Sequence, residues 1–266
     1  MKVRSLFYAL TVALAFVACS KDEPYDPGKD PGKKPGEGQE LEYTVDKDGY
    51  ATYTYEGFTY KFFKGVVGTT DAKAAKAKIE SDLKFINENL PEKALKVMKQ
   101  NPIWLEENND KSSSAAWCHV SAGSGTAFGG LAAKEFCVEI TNYKNYVSWS
   151  NQNQPLMVLH ELCHLYHSLA LGGDSNQDIR KAYDNAKANV DIYTNGRYRT
   201  KITDKVGTPT SNVYAMNTMW EYFSEISEAY WGENDYAPFN YEELREKDPM
   251  GFQLMESIWG RRTDKE

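Results

Sequence analysis

Along the chain the apolar and polar positions change period several times, and each change marks an element. Residues 50–63 alternate β-forming side chains, from Tyr50 to Tyr55 and from Phe58 to Phe63, around Glu56-Gly57, which predicts a β-hairpin. From Asp71, placed to cap a helix, Ala75, Ile79, Leu83 and Ile86 recur at helical spacing as far as Leu90. Pro91 suits the first turn of a second helix. Residues 103–120 read as short strand, polar loop, short strand, and 136–140 alternate again as a further strand. Residues 154–171 carry Leu156, Met157, Val158, Leu159, Leu162, Cys163 and Leu165, so this helix is apolar on nearly every face and is expected to be buried, ending at Gly172-Gly173. A polar helix near 176–189, a loop or hairpin over 191–205, a helix over 216–231 stopped at Gly232, and one or two short helices within 241–259 complete the pattern. There is no internal repeat. The fold class is α+β: a small mixed sheet packed beside a mainly helical lobe.

The amino-terminal residues follow a different logic. Lys2 and Arg4 precede an apolar run from Leu6 to Ala18. That run is shorter than the roughly 20 residues of a membrane span and has the length of a signal-peptide core. It ends in Phe16-Val17-Ala18-Cys19, which resembles the lipobox of bacterial lipoproteins. The resemblance implies cleavage before Cys19 and acylation of that cysteine. Ser20-Lys21-Asp22-Glu23 looks like the surface-export signal of lipoproteins in the Bacteroides group. Residues 24–38, rich in Pro, Gly and Lys, cannot build a core and read as an extended tether. The expected layout is a signal peptide over 1–18, a lipidated cysteine and tether over 19–40, and one globular domain over 41–266. Within that domain 41–114 carry the less distinctive pattern. The expected place is the cell envelope, as a surface-exposed outer-membrane lipoprotein.

Composition adds exclusions. The 266 residues carry a net charge of -7 with no basic block, which argues against nucleic acid as the main partner; a monomer meeting the membrane through its lipid is expected. Of four cysteines, Cys118 and Cys137 flank a Gly/Ser-rich loop and, in an exported chain, are candidates for a disulfide. Cys163 reads as a small buried apolar residue.

The chemistry concentrates in His160-Glu161-Leu162-Cys163-His164, an H-E-x-x-H pattern. A spacing of four places both imidazoles on one helical face, one turn apart, where both can reach one zinc ion. Glu161 beside them can move a proton to and from a water. The chain has only four histidines, so chance placement yields this pattern about 0.005 times in a chain of this composition. A catalytic zinc needs a third protein ligand. The extension with a third histidine is excluded, because His167 stands where that pattern needs Gly and Ala170 where it needs His. A carboxylate on the later helix remains. Glu221 and Glu225 are four apart and share a face, so one can bind zinc while the other supports a ligand histidine from behind; Glu225 or Glu228 is an alternative ligand.

With His160, Glu161, His164 and the run Glu221-Tyr222-Phe223-Ser224-Glu225 in that order, the sequence resembles the gluzincin metallopeptidases, especially the branch of the anthrax lethal factor and the secreted Pro-Pro endopeptidases. Residues 157–167 and 220–239 also look like a family of bacterial secreted proteins with predicted metallopeptidase domains, a likeness covering roughly 115–259. The resemblance implies a zincin-like fold, one Zn2+ held by His160, His164 and Glu221, and Glu161 as general base. It further implies Glu225 as the carboxylate supporting a ligand, and Tyr214, seven residues before Glu221, as oxyanion donor. An edge strand before the site helix would bind extended substrate, here 136–140. His167, one turn beyond His164, either supports the site or bonds elsewhere, and His119 is structural or lines the cleft. The expected function is zinc-dependent endopeptidase cleavage of peptides or proteins. The competing expectation is a catalytically inactive module of the same fold that binds peptide or glycan.

Overall fold

The computed structural model describes residues 43–109 and 115–262. Cys19 and the lipobox, export signal and tether expected before residue 41 lie outside the described residues, and Leu41–Glu266 form one compact unit. Among the described residues no helix is long and apolar enough to cross a membrane.

The chain is α+β. A six-stranded mixed sheet takes β1 (Thr44–Val45), β2 (Tyr50–Tyr55), β3 (Phe58–Phe63), β4 (Ile103–Leu105), β5 (Ala116–His119) and β6 (Cys137–Ile140) in the spatial order β1-β2-β3-β4-β6-β5. β2 and β3 form the expected hairpin, with Glu56 at φ 50° and Gly57 at φ 78° supplying the two left-handed turn positions. β3, β4 and β6 run parallel, and β5 returns antiparallel along β6. β6 is therefore an interior strand and β5 is the edge, which corrects the expectation that 136–140 form the edge strand. Phe136 sits at φ 52°, so the strand begins at Cys137.

Register sorts the side chains. Tyr60, Ile103 and Val138 align across three strands, as do Phe62, Leu105 and Ile140, on the face turned to the helices. The other face carries Tyr50, Trp104 and Cys137. The same alternation removes the expected Cys118–Cys137 disulfide. Cys118 pairs with Val138 while Cys137 pairs with His119, so the two thiols leave opposite faces of the sheet, and both are free.

Helix α1 (Thr70–Asn89) follows the hairpin. Its cap is Thr69, whose side chain accepts from the Ala72 amide, and not Asp71, which lies inside the first turn. Pro91 caps α2 (Glu92–Met98). The spacing of apolar residues did not announce α3 (Tyr143–Gln152). It is capped by Asn142 and buries Tyr143, Tyr146 and Ser150. Then comes α4 (Met157–Ala170), which buries Leu159, Leu162, Cys163 and Leu165 to 1% exposure or less and packs against β5 on one side. Each such leucine contributes about 2 kcal/mol by burial, so the helix is held on several sides. Gly172 at φ 86° ends it, and Gly173 brings the chain so close to Trp220 that an added Cβ would lie 3.2 Å from the indole.

The carboxy-terminal part adds α5 (Gln177–Asn189), α6 (Asp191–Thr194) and a two-stranded ribbon of β7 (Gly196–Tyr198) and β8 (Thr208–Thr210). The expected loop or hairpin over 191–205 is thus a short helix plus one ribbon strand, whose partner lies beyond it. α7 (Met219–Trp231) packs along α4 and is capped by Thr218, and α8 (Tyr241–Lys247) and α9 (Pro249–Trp259) close its outer side.

Candidate metal centre

Two helices build the site. α4 presents His160 and His164 one turn apart, and α7 faces them with its first turn. The Thr218 hydroxyl accepts from the Glu221 amide, starting α7 where the Glu221 carboxylate reaches both imidazoles. Glu221 Oε2 lies 3.0 Å from His160 Nε2 and 3.2 Å from His164 Nε2, and the two Nε2 atoms are 3.1 Å apart. The three atoms form a nearly equilateral triangle, and this His160–His164–Glu221 set could hold a metal ion. Of the carboxylates on α7, Glu221, the residue implied by the resemblance, is the one within reach of both imidazoles; Glu225 and Glu228 gather with His160 alone, as a second set that could hold an ion.

Electrostatics agree with the geometry. Burial opposes ionisation of Glu221, but hydrogen bonds from His160 and His164 outweigh it and hold the carboxyl far below its usual range. Burial likewise disfavours a charged His160, and the Glu221 and Glu228 carboxylates overcome it, raising its pKa well above the ordinary value. Both directions describe carboxylates and imidazoles close enough to favour one another's charged forms.

Behind the imidazoles the arrangement departs from expectation. His160 Nδ1 hydrogen-bonds Glu228 Oε1 at 2.7 Å, whereas Glu225 Oε1 stands at 3.6 Å. Glu225 Oε2 instead accepts from Asn234 Nδ2 at 3.0 Å. The expected support by Glu225 is therefore made by Glu228, one turn further on. His164 Nδ1 is 3.2 Å from Ser224 Oγ, a contact not foreseen. Ser224 and Glu228 lie three and seven residues after Glu221, so helical spacing was the available signal. His167 does not support the ligands: its Nε2 donates to the Gly173 carbonyl at 3.1 Å and its ring packs against Trp220 at 4.2 Å. Burial there lowers its pKa to about 4. His119 is structural, fully buried against Glu139 at 2.6 Å.

A cavity of about 300 Å³ opens beside the cluster. Glu161 and His160 line it, with Tyr214, Tyr236 and the start of β5 at Ala116. Burial, reinforced by Glu221 and Glu228 against the pull of His160 and His164, raises the Glu161 pKa. Tyr214 sits in a 3-10 turn just before α7, 38% exposed, its ring 6.1 Å from that of His160. Burial, then Glu221, keeps its hydroxyl protonated and able to donate. Asp235, unnoticed in the sequence, lines the same cavity, and burial and Glu228 raise its pKa to about 7. Trp149, on the unforeseen α3, lines it too. Comparison with protein-family models, with curated proteins and with solved structures finds no match to this chain.

Proposed function

We propose that the protein is a zinc-dependent endopeptidase of the gluzincin type, acting on peptides or proteins at the cell surface. One observation carries this reading: two imidazole nitrogens and a carboxylate oxygen converge within 3.2 Å of one another, next to Glu161, at the wall of a cavity. The donor set fits zinc. Four tetrahedral ligands at about 2.0–2.1 Å from zinc stand roughly 3.3 Å apart, and the triangle edges here are 3.0, 3.1 and 3.2 Å. Two neutral imidazoles and one carboxylate are also the donors of known catalytic zinc sites, which leave a position for water.

His160, His164 and Glu221 would hold the ion, which when bound supplies Lewis acidity toward a carbonyl and makes water nucleophilic near neutral pH. Glu161 lines the same cavity, and its raised affinity for protons suits a base that takes the attacking water's proton and returns it to the leaving nitrogen. The Tyr214 hydroxyl donates to the oxygen on which charge develops. The edge strand β5, whose first residue borders the cavity, offers main-chain groups to an extended substrate.

The test is Glu161→Gln. Hydrolysis of an unfolded protein substrate should fall by about 10²–10⁴-fold while bound zinc stays at one ion per chain. Undiminished hydrolysis in the variant would reject the mechanism proposed through Glu161, and a zinc-loaded wild-type chain that cleaves no such substrate would favour the binding module, in which Glu161 has no proton to move.

A further inference from the structure

The zinc reading above is the starting point for this one. A histidine that presents Nε2 to a metal carries its proton on Nδ1, and in a buried site that N–H needs an acceptor. The two imidazoles find theirs on the helix that also supplies the third ligand. Glu228 Oε1 accepts from His160 Nδ1 at 2.7 Å, and Ser224 Oγ lies 3.2 Å from His164 Nδ1. With 3.6 residues per turn, Glu221, Ser224 and Glu228 fall within about 60° of one another round α7. Ser224 is fully buried and Glu228 is 4% exposed, so neither group is at leisure to exchange its partner for water.

We propose that one face of α7 is the positioning device of the centre: Glu221 binds the metal while Glu228 and Ser224 lock the ring orientation and tautomer of His160 and His164. The two supports are unequal in chemistry. A carboxylate makes a shorter, charge-assisted bond and raises the donor strength of His160, whereas a hydroxyl only orients His164. Glu225 serves as an internal control. It is equally buried, on the same helix and also near His160, yet it stands 0.9 Å farther from Nδ1 than Glu228 does (3.6 against 2.7 Å) and is held by Asn234.

The experiment measures zinc affinity of the full chain by chelator competition, and the absorption bands of the Co2+-loaded protein, for Glu228→Ala, Glu228→Gln, Ser224→Ala and Glu225→Gln. Glu228→Ala should weaken zinc binding by about 10–100-fold and shift the cobalt bands. Glu228→Gln, which keeps shape and an acceptor oxygen, should recover part of that loss and guards against a variant that fails to fold. Ser224→Ala should lose less than Glu228→Ala, and Glu225→Gln should leave both readouts unchanged. Equal losses for the Glu228 and Glu225 variants, or none for Glu228→Ala, overturn the positioning role while leaving the peptidase reading intact. A wild-type chain that binds neither Zn2+ nor Co2+ overturns the peptidase reading and this one with it.

Discussion

His119 and His160 stand on opposite sides of this chemistry although their nearest contacts look alike. His119 Nε2 lies 2.6 Å from Glu139 and His160 Nδ1 lies 2.7 Å from Glu228. Around His119 the charges close on themselves. Lys134 pairs with Glu139 at 2.8 Å and with Glu106, and Asn109 Nδ2 donates to Glu139 at 2.9 Å; Tyr50 donates to Glu106 at 2.6 Å. His119, Glu139 and Lys134 are each at most 2% exposed, on the sheet face away from α4. Around His160 the carboxylates of Glu221, Glu225 and Glu228 gather with a second imidazole, and among the described residues no lysine or arginine lines the adjoining cavity. A network with a lysine built in carries its own fixed cation. One whose carboxylates face a cavity and two imidazoles has room for a cation from solution, the feature on which the proposed metal site rests.

The largest effects should separate the two networks by kind. His160→Ala removes one corner of the triangle, so bound zinc and hydrolysis should both be lost, with little change in the unfolding of metal-free protein. Measured metal content that stays at one ion would show that the site is elsewhere. Lys134→Met attacks the other network. It strands Glu139 in a dry interior and should cost about 3–5 kcal/mol of stability by denaturant titration, with zinc affinity unchanged. A loss of zinc on that substitution would mean that the two networks are not independent.

Much of this contrast was written in residue spacing. The hairpin, α1, α4 and α7 follow from period-2 and period-3.6 patterns, and His160, Glu161 and His164 follow from one four-residue interval. Glu221 followed only with the help of resemblance, because a carboxylate in a first turn is common at any helix start. Three things were not legible. α3 has just Tyr143, Tyr146 and Ser150 to mark its buried face, too few apolar positions for a period. The choice of Glu228 over Glu225 depends on Asn234, which comes from the turn after α7 and claims Glu225. The edge role of β5 depends on a parallel β4–β6 pairing that no local pattern encodes.

A third, smaller effect concerns the histidine that neither network uses. The His167 pKa falls from 6.5 to about 4 in the folded protein because burial disfavours its charged form. The folded state therefore refuses a proton that the unfolded chain accepts below pH 6.5. The stability this neutral side chain contributes is fully present above pH 6.5 and is lost as pH falls through 4, by about 3 kcal/mol in all. His167→Gln keeps a donor for the Gly173 carbonyl and removes the titration. The stability difference between wild type and variant should shrink over pH 6.5 to 4, and a difference that stays constant would place His167 in a more solvated setting.

The smallest expected effect is none at all, and it bears on how the two faces of the sheet are kept apart. If Cys118 and Cys137 were joined, reduction would cost about 2–5 kcal/mol, the usual loss for a native disulfide in a secreted domain. Here Cys118 turns to the core beside α4, where burial raises its thiol pKa, and Cys137 turns to Trp104 on the far face, where burial does the same. Neither thiol can reach the other without turning a strand over, which would also carry His119 and Glu139 out of their network. Thermal unfolding should therefore be the same in reducing and in oxidising buffer, and titration of the denatured globular domain should find three free thiols among Cys118, Cys137 and Cys163. A reductant-dependent melting temperature would show the register of β5 on β6 to be shifted, and with it the separation between the sealed network and the open one.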